Sequence, residues 1–253
     1  SILAEDLKAL NDSRKDMTAK GVEQAVQLVE NTDLKNDRVL VIYLPDCHES
    51  LAGIIAGRIR EHYTRPVFVL TKAEEGVKGS GRSIESYHMF QELVKCRELL
   101  TKFGGHPMAA GLSLTEENIG AFRQRLNENC TLTAEDMVEK IVIDVPMPMS
   151  YVTIPLIRQI SQLEPFGKGN TKPVFAQKNL RISNARVFGK NRNVVKMLLT
   201  DEYGFAAEGI WFGDGDEFVQ KIREKERWDM IYYPTINAFR GKESIEMTVQ
   251  SIR

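Results

Sequence analysis

One short segment combines glycine, serine and arginine at a spacing that suits an anion. Its residues are Gly79, Ser80, Gly81, Arg82 and Ser83. Two glycines allow a sharp turn whose successive N–H groups form a concave nest, and serine hydroxyls and the guanidinium fork of Arg82 suit phosphate oxygens. We therefore predict a phosphate site in a glycine-rich turn at residues 78–83. The alternative is an ordinary glycine turn with Arg82 in a surface ion pair, and the P-loop pattern GxxxxGK[ST] is absent.

A second candidate is the histidine in the segment GGHPMAAG, residues 104–111. The glycines Gly104 and Gly105 allow an unusual backbone path that exposes the imidazole of His106. An exposed imidazole can donate a hydrogen bond to a phosphate oxygen or act as a general acid. We predict such a role for His106, with Gly104 and Gly105 beside the phosphate. The alternative is a buried histidine whose ring is hydrogen-bonded to the backbone.

His48 is a third candidate because it stands between a predicted strand and a predicted helix. Ligands of open α/β sheets bind at the carboxyl ends of strands, so His48 is placed to face a cleft. The alternative is that its side chain caps the following helix. Position 52 is Ala52, so the HExxH motif of zincin-type zinc sites is absent. No cluster of aspartate and histidine predicts a two-metal site elsewhere in the chain.

The second half of the chain contains a basic stretch without acidic residues. Residues 177–200 hold six basic residues and no aspartate or glutamate. Single-strand binders combine such cations with aromatic stacking platforms, and solvated charges are the alternative. Of the aromatic residues there, we expect one or two to be exposed; they are Phe188, Tyr203, Phe205, Trp211, Phe212 and Phe239. The predicted single-strand-binding residues are Arg186, Lys190, Arg192, Lys196, Arg240 and Lys242.

The elements that position these residues change in kind along the chain. Residues 1–33 predict a long helix with a thin apolar stripe, typical of a helix that bridges two bodies. Strands and helices alternate over 34–135, which predicts an α/β domain, a sheet with flanking helices. Residues 136–253 predict an all-β OB-type barrel, with a loose β-sandwich as the runner-up. The predicted elements include helices at 88–99 and 154–163, and strands at 139–145, 174–187, 193–200, 205–212, 228–239 and 245–252.

Composition limits the classes of function that the chain can have. The 253 residues carry a net charge of −1, so any nucleic-acid contact must come from local patches. Residues 1–150 have a net charge of −5 and residues 151–253 one of +4, which predicts two domains with different partners. No apolar run reaches the roughly 18 residues of a membrane span, and the first residues lack a signal-peptide pattern. The three scattered cysteines fit a reducing cytosol, so we expect a cytoplasmic protein. We also expect a monomer.

Together these motifs resemble the DHH phosphoesterase family, and within it the single-stranded-DNA-specific exonucleases of the RecJ type. GSGRS at 79–83 and GGHPMAAG at 104–111 are similar to two hallmark motifs of the DHH-associated domain. Other matching segments extend the resemblance over nearly the whole chain. They are Leu10-Asn11-x-x-Arg14-Lys15, His48-Glu49, Gly53-Ile54-Ile55-Ala56 with Arg58, Arg65-Pro66, Leu163-Glu164-Pro165-Phe166-Gly167-x-Gly169-Asn170, Pro173-Val174-Phe175, Phe212-Gly213 and Asn237-x-x-Arg240-Gly241.

The resemblance implies 5′→3′ digestion of single-stranded DNA in repair and recombination, with two Mn²⁺ or Mg²⁺ ions activating water. The DHH motif that would hold those ions is not in this sequence, so the resemblance implies a further, N-terminal lobe. We expect no cofactor and no nuclease activity in this chain alone. The resemblance also implies that Ser80, Arg82 and Ser83 bind a phosphate near the 5′ end of the DNA. His106 would reach the phosphate beside the scissile bond, with His48 in support, while the OB domain holds the single strand.

Two other functions stay open at this point. A phosphodiesterase of the same family that acts on short oligonucleotides or cyclic dinucleotides would resemble the first 135 residues, but it would not need an OB barrel. A non-catalytic module would use residues 140–253 to tether single strands or a partner protein. Sensitivity of binding to a 5′ phosphate distinguishes the exonuclease from a generic binder.

Overall fold

The computed structural model describes residues 2–239 and 241–253, which form two compact units that divide between Glu139 and Lys140. Arg240, one of the predicted single-strand-binding residues, lies outside the described residues. No helix within the described ranges is both long enough and apolar enough to cross a bilayer.

The first unit is built on a five-stranded mixed sheet. Its helices are α1 (Ile2–Asn31), α2 (Glu49–Tyr63), α3 (Met89–Val94) and α4 (Ile119–Asn129). Its strands are β1 (Leu40–Tyr43), β2 (Val67–Lys72), β3 (Val77–Arg82), β4 (Lys102–Gly105) and β5 (Ala109–Leu114). The strand order is β1-β2-β3-β5-β4, with β1 and β2 parallel and the other neighbours antiparallel. The predicted α/β class is therefore confirmed.

Each face of this sheet has its own apolar core, because strand residues alternate between the two faces. One core lies under α2 and the second half of α1, and its strand residues are Leu40, Ile42, Val67 and Val69. The other lies under α3 and α4 and includes Val39, just before β1; its strand residues are Val41, Phe68, Leu70, Val77, Ala110, Leu112 and Leu114. Because helices cover both faces of the sheet, the sequences of β1 and β2 are almost continuously apolar and do not alternate with polar residues.

Residues 77–82 form the central strand β3, so the predicted glycine-rich turn is wrong. The backbone groups of Gly79 and Gly81 pair with β2 on one side and β5 on the other. A Cβ atom on Gly81 would stand 2.7 Å from the ring of Phe68 and 2.5 Å from Sδ of Met89. The glycines are therefore needed because core side chains pack against the bare backbone, and the predicted nest of free N–H groups does not exist.

The first half of α1 is exposed, whereas its second half packs on the unit. Ala25 and Val29 are fully buried, but Leu3, Leu7 and Leu10 are exposed on one helical stripe. The spacing of those three leucines, four and then three residues, keeps them on one face. The helix thus has an apolar stripe that nothing in the described chain covers.

Several other boundaries differ from the predictions. The helix predicted at 88–99 ends at Val94, and a 3₁₀ turn follows. Strand β4 was not among the predicted elements, since Lys-Phe-Gly-Gly lacks β-branched residues. The strand predicted at 139–145 is reduced to β6 (Val145–Pro146), where a short parallel pairing with the next strand occurs. Proline lacks the N–H that a longer ladder would need.

The second unit has the strand order of an OB-type barrel. Its further elements are α5 (Ile154–Ser161), β7 (Phe175–Phe188), β8 (Val194–Thr200), β9 (Ala206–Phe212), α6 (Gly215–Lys221), β10 (Trp228–Phe239) and β11 (Lys242–Ile252). Strand β7 pairs with β10 through its first half and with β8 through its second, so pairing passes from β7 through β8, β9, β11 and β10 back to β7. This ring, with β9 and β11 parallel, is the predicted OB arrangement and not a loose sandwich.

Replacing Gly81 with alanine should destabilise the first unit by roughly 1–3 kcal/mol, because the added methyl group overpacks the ring of Phe68. Gly111→Ala is the matched control, since its Cβ would meet only the carbonyl oxygen of Gly79, at 3.9 Å. Urea unfolding followed by far-UV circular dichroism measures both variants. Equal midpoints for the two variants would contradict the close packing inferred for β3.

Candidate functional site

Ser80 and Arg82 face α2, on the side of β3 opposite to its glycines. Alternation along the strand requires this, and α2 comes close to both side chains. A Cβ atom on Gly53 of α2 would stand 2.8 Å from Nη2 of Arg82 and 2.9 Å from Oγ of Ser80. Because Gly53 has no side chain, the guanidinium of Arg82 fits against the helix at this position.

Three cross-strand rows on this face form what we call the β3–β5–β4 groove. The rows are Lys78–Ser113–Lys102, Ser80–Gly111–Gly104 and Arg82–Ala109. Rows follow one another at about 6.7 Å, two residues of a strand. A Cβ on Gly104 would meet nothing within 4 Å, so the floor of the groove is open there. At the Lys78 and Ser80 rows the groove forms a cavity of about 390 Å³, which is also lined by Glu49 and Ser50 of α2.

Arg82 is held in place without being neutralised. Its Nη1 donates to the carbonyl oxygen of Gly81 at 2.8 Å and to Oγ of Ser80 at 3.3 Å. Among the described residues it forms no ion pair with a carboxylate, which excludes the predicted alternative of a surface salt bridge there. A guanidinium has five donor hydrogens, so several stay available to an anion in the groove.

Of the other three residues of GSGRS, Gly81 and Ser83 do not reach the groove, and Gly79 lines its cavity with backbone alone. Ser83 is fully buried, and its hydroxyl donates to the carbonyl oxygen of Tyr87. Gly79 and Gly81 have their backbone groups in the sheet and their α-carbons against the core. The prediction that Gly81 and Ser83 bind phosphate directly is therefore wrong, and Gly79 offers the groove only backbone that is already paired in the sheet. Their function in the structure is to fix the strand that carries Ser80 and Arg82.

His48 is the N-cap of α2, which was the alternative interpretation of this residue. Its Nδ1 accepts a hydrogen bond from the backbone N–H of Ser50 at 3.2 Å and lies 2.8 Å from the hydroxyl of Ser50. Because Nδ1 accepts, the neutral ring carries its hydrogen on Nε2, which is free to donate at the exposed helix start. His88 caps α3 in the same way, through Gln91.

His106 lies in the exposed turn between β4 and β5, so the buried-histidine alternative is wrong. Its backbone N–H donates to the carbonyl oxygen of Ala109 at 2.8 Å. Gly105 makes this turn possible, since a Cβ there would stand 2.5 Å from that same oxygen. Ala109 is the cross-strand partner of Arg82, so the turn lies at the Arg82 end of the groove.

The structure does not bring His48 and His106 together. Glu49, next to His48, binds Lys78 with an O–N distance of 2.7 Å, which places the start of α2 at the Lys78 row. That row and the Arg82 row are four residues apart on β3, about 13 Å. The Lys78 ammonium group lowers the pKa of the Glu49 carboxyl, and the carboxylate raises the pKa of Lys78.

Of the six basic residues predicted to bind single strands, the five that the structure describes do not share one face. Arg192 binds both carboxylate oxygens of Asp216, and Lys196 binds Glu246 at 3.2 Å. Arg186 and Lys190 are exposed and form no ion pair in the described part of the chain. Lys242 begins β11, which runs parallel to β9, so it lies at the end of the barrel far from Phe212.

Two exposed phenylalanines form a row that the sequence prediction did not single out. Phe188 of β7 and Phe212 of β9 are both directly opposite Val194 of β8. Their exposed fractions are 46% and 59%, large for aromatic side chains on a barrel wall. Arg186 and Lys196 form the neighbouring row on this face. Only the strand register shows the arrangement, because the two phenylalanines are far apart in sequence.

The number of exposed aromatics differs from the prediction of one or two. The structure describes the exposure of five of the six residues, the side chain of Phe239 lying outside the described part. Four of the five are exposed: Phe188, Tyr203, Phe205 and Phe212. Tyr203 and Phe205 lie in the turn between β8 and β9, where the carboxylate of Asp201 accepts both of their backbone N–H groups. A short hairpin turn cannot bury its own side chains, which explains the excess.

No group of three histidine, cysteine or acidic residues in the described ranges could hold a metal ion. Asp214 and Asp216 have the spacing of an Asp-x-Asp pair, but Asp214 caps α6 and Asp216 binds Arg192. The described residues therefore do not fit a two-ion centre, and we derive no chemical step through a metal in this chain.

Comparison with family models identifies both halves of the chain. Residues 36–131 match the DHHA1 domain and residues 143–251 match the RecJ OB domain. A relative from Escherichia coli named single-stranded-DNA-specific exonuclease RecJ is 32% identical, over 99% of this chain and 45% of its own length. The protein of that name from Bacillus subtilis is 31% identical, over 98% of this chain and 32% of its own.

A solved structure supports the fold. The crystal structure of RecJ from Thermus thermophilus in complex with Mg²⁺ superposes with a TM-score of 0.77, over 100% of this chain and 38% of that one, at 23% identity. The chain thus spans about a third to a half of the relatives that it matches. With both domains in the same order and similarity along its whole length, the chain belongs to the RecJ family and corresponds to the part of its members that holds a DHHA1 domain followed by a RecJ OB domain.

Proposed function

We propose that the chain is the C-terminal part of a cytoplasmic, monomeric 5′→3′ single-stranded-DNA-specific exonuclease of DNA repair and recombination, and that it binds the substrate. One observation carries the proposal: Arg82 is fixed beside Ser80 in an open groove and has no carboxylate partner in the described chain. Relatives named single-stranded-DNA-specific exonucleases support it. The second unit, which matches the RecJ OB domain, favours this function over a phosphodiesterase for cyclic dinucleotides.

The residues of the groove have distinct roles in this proposal. Arg82 and Ser80 bind a phosphate near the 5′ end of the strand, through charge-assisted hydrogen bonds. His106, in the turn beside Arg82, donates to the phosphate next to the scissile bond. His48 is a positioning residue, since it caps α2 and orients the hydroxyl of Ser50 at the rim. In the complete enzyme, Mg²⁺ or Mn²⁺ would supply the activation of water, and a DHH lobe outside this chain would hold the ions.

The exposed stripe of α1 supports the existence of that lobe. Leu3, Leu7 and Leu10 present an apolar face that nothing in the described chain covers. Exposed apolar stripes of this kind mark contacts with another body. We propose that the stripe packs against the DHH lobe of the same polypeptide, so that α1 connects the lobe to the DHHA1 domain.

The second unit holds the single strand in this proposal, through the row of Phe188 and Phe212. Bases stack on exposed aromatic rings whatever their identity, while cations follow the sugar-phosphate backbone. Arg186 and Lys190 are the cations that remain free beside this row. Arg192 and Lys196 are partly neutralised by Asp216 and Glu246, so they contribute less to this binding.

Replacing Arg82 with alanine should weaken binding of a 5′-phosphorylated oligodeoxythymidylate by about 10- to 100-fold. A charge-assisted contact with phosphate contributes roughly 1.5–3 kcal/mol. Arg82→Lys should restore part of the loss, because lysine keeps the charge but lacks the fork. Fluorescence anisotropy with 5′-phosphorylated and 5′-hydroxyl strands measures both effects. An alanine variant that binds both strands like the wild type would refute the proposed phosphate site.

Gly53→Ala should weaken binding of the same phosphorylated strand without lowering stability. The new methyl group takes the place of the Arg82 guanidinium, whose flexible end then moves, while alanine favours the helix by up to about 1 kcal/mol. Gly57→Ala is the matched control, since it lies in the same helix and its Cβ would meet nothing within 4 Å. Equal affinities of the two variants would show that the position of Arg82 does not matter.

Phe188→Ala and Phe212→Ala should each weaken binding of single strands, by about 1–3 kcal/mol for each base that stacks. The loss should be similar for all base sequences, since stacking does not read base edges. Tyr151→Ala is the control, because Tyr151 is an exposed aromatic residue of the same unit outside the row. If the Tyr151 variant loses as much affinity as the others, the row is not a specific platform.

A further inference from the structure

We infer that the row Lys78–Ser113–Lys102 is a second phosphate subsite, so that the β3–β5–β4 groove holds two consecutive phosphates of one strand. The inference rests on the proposed function and extends it from one bound phosphate to two. The sequence analysis did not predict this row, because its members come from three strands and belong to no motif.

The register of the sheet brings the three side chains together. Ser113 of β5 is directly opposite Lys78 of β3 on one side and Lys102 of β4 on the other. Directly opposite residues point to the same face of a sheet, so two ammonium groups flank one hydroxyl. All three residues line the cavity of about 390 Å³ that also contains Ser80 and Ser50. The subsite is therefore continuous with the position of Ser80 and Arg82.

The charge of the row suits one phosphodiester. Lys102 is exposed and forms no ion pair among the described residues, whereas Lys78 binds the carboxylate of Glu49. The two ammonium groups of the row and the carboxylate of Glu49 leave one positive charge at the row itself, which matches the charge of a phosphodiester. Lys72, Glu74 and Glu75 line the adjoining cavity, and the charge of Glu74 also acts on Lys78. Glu49 also limits the freedom of the Lys78 side chain, so the row is partly ordered before any ligand binds.

The spacing of the rows suits an extended strand of nucleic acid. Ser80 and Lys78 are neighbours on one face of β3, about 6.7 Å apart. An extended sugar-phosphate backbone repeats over a comparable distance, so a phosphate at Ser80 and Arg82 places the next one over Ser113. Bare glycine backbone at Gly104 and Gly111 leaves room for the sugar between the two.

The test compares 5′-phosphorylated thymidine oligonucleotides with one, two and three phosphates, competing with a fluorescent strand on the 253-residue chain. Wild-type affinity should rise when the second phosphate is added. Lys102→Gln should remove most of that rise, which corresponds to a loss of about tenfold in affinity for the oligonucleotide with two phosphates. It should also flatten the slope of log K against log salt by about 0.7. Lys35→Gln is the control, an exposed lysine outside the groove, and it should leave the rise intact.

The outcomes separate the subsite from the proposed function. If Lys102→Gln leaves the rise unchanged while Arg82→Gln still weakens binding of every oligonucleotide, the subsite is refuted and the proposed function stands. If neither substitution weakens binding, both the second phosphate subsite and the proposed function are refuted. If Lys35→Gln removes the rise as well, the second phosphate senses only general charge, and the subsite is refuted.

Discussion

The site depends on how closely β3 packs against the core of the first unit. Phe68 and Met89 press on the backbone of this strand where a side chain would normally stand, and only glycine at position 81 fits. Because the strand alternates, the same packing directs Ser80 and Arg82 to the opposite face. The core thus determines where the proposed phosphate-binding groups of Ser80 and Arg82 point, although it contributes no polar atom to the groove.

A second close approach completes the arrangement on the other face. Helix α2 crosses β3 at Gly53, and the missing side chain leaves space for the guanidinium of Arg82. The same helix begins beside Lys78, where His48 caps it and Glu49 forms an ion pair. One helix therefore positions groups at two rows of the groove, so its placement on the sheet couples them.

The sequence predicted the barrel strands within a residue or two at most ends, because their apolar residues alternate and are bounded by clear turn residues. It failed at β3 and β4, whose glycines locally resemble turns. In β3, only residues distant in sequence, such as Phe68, make glycine necessary at position 81. The sequence analysis also counted too many unpaired cations in the stretch 177–200. This stretch contains no acidic residue of its own, but Asp216 of α6 and Glu246 of β11 form ion pairs with two of its basic side chains. Ser80 and Arg82 were found through their motif, but the rows of Lys102 and Phe212 appear only with the strand register.

The rows of the β3–β5–β4 groove have a further consequence for a substrate that is shortened one unit at a time. Their side chains end in guanidinium, ammonium and hydroxyl groups, all of them donors that suit phosphate oxygens. In the proposed enzyme, a backbone displaced by one row would meet contacts of the same chemical kind. A strand that has lost its terminal nucleotide would then keep cationic contacts at one row while it advances to the other, without first being released.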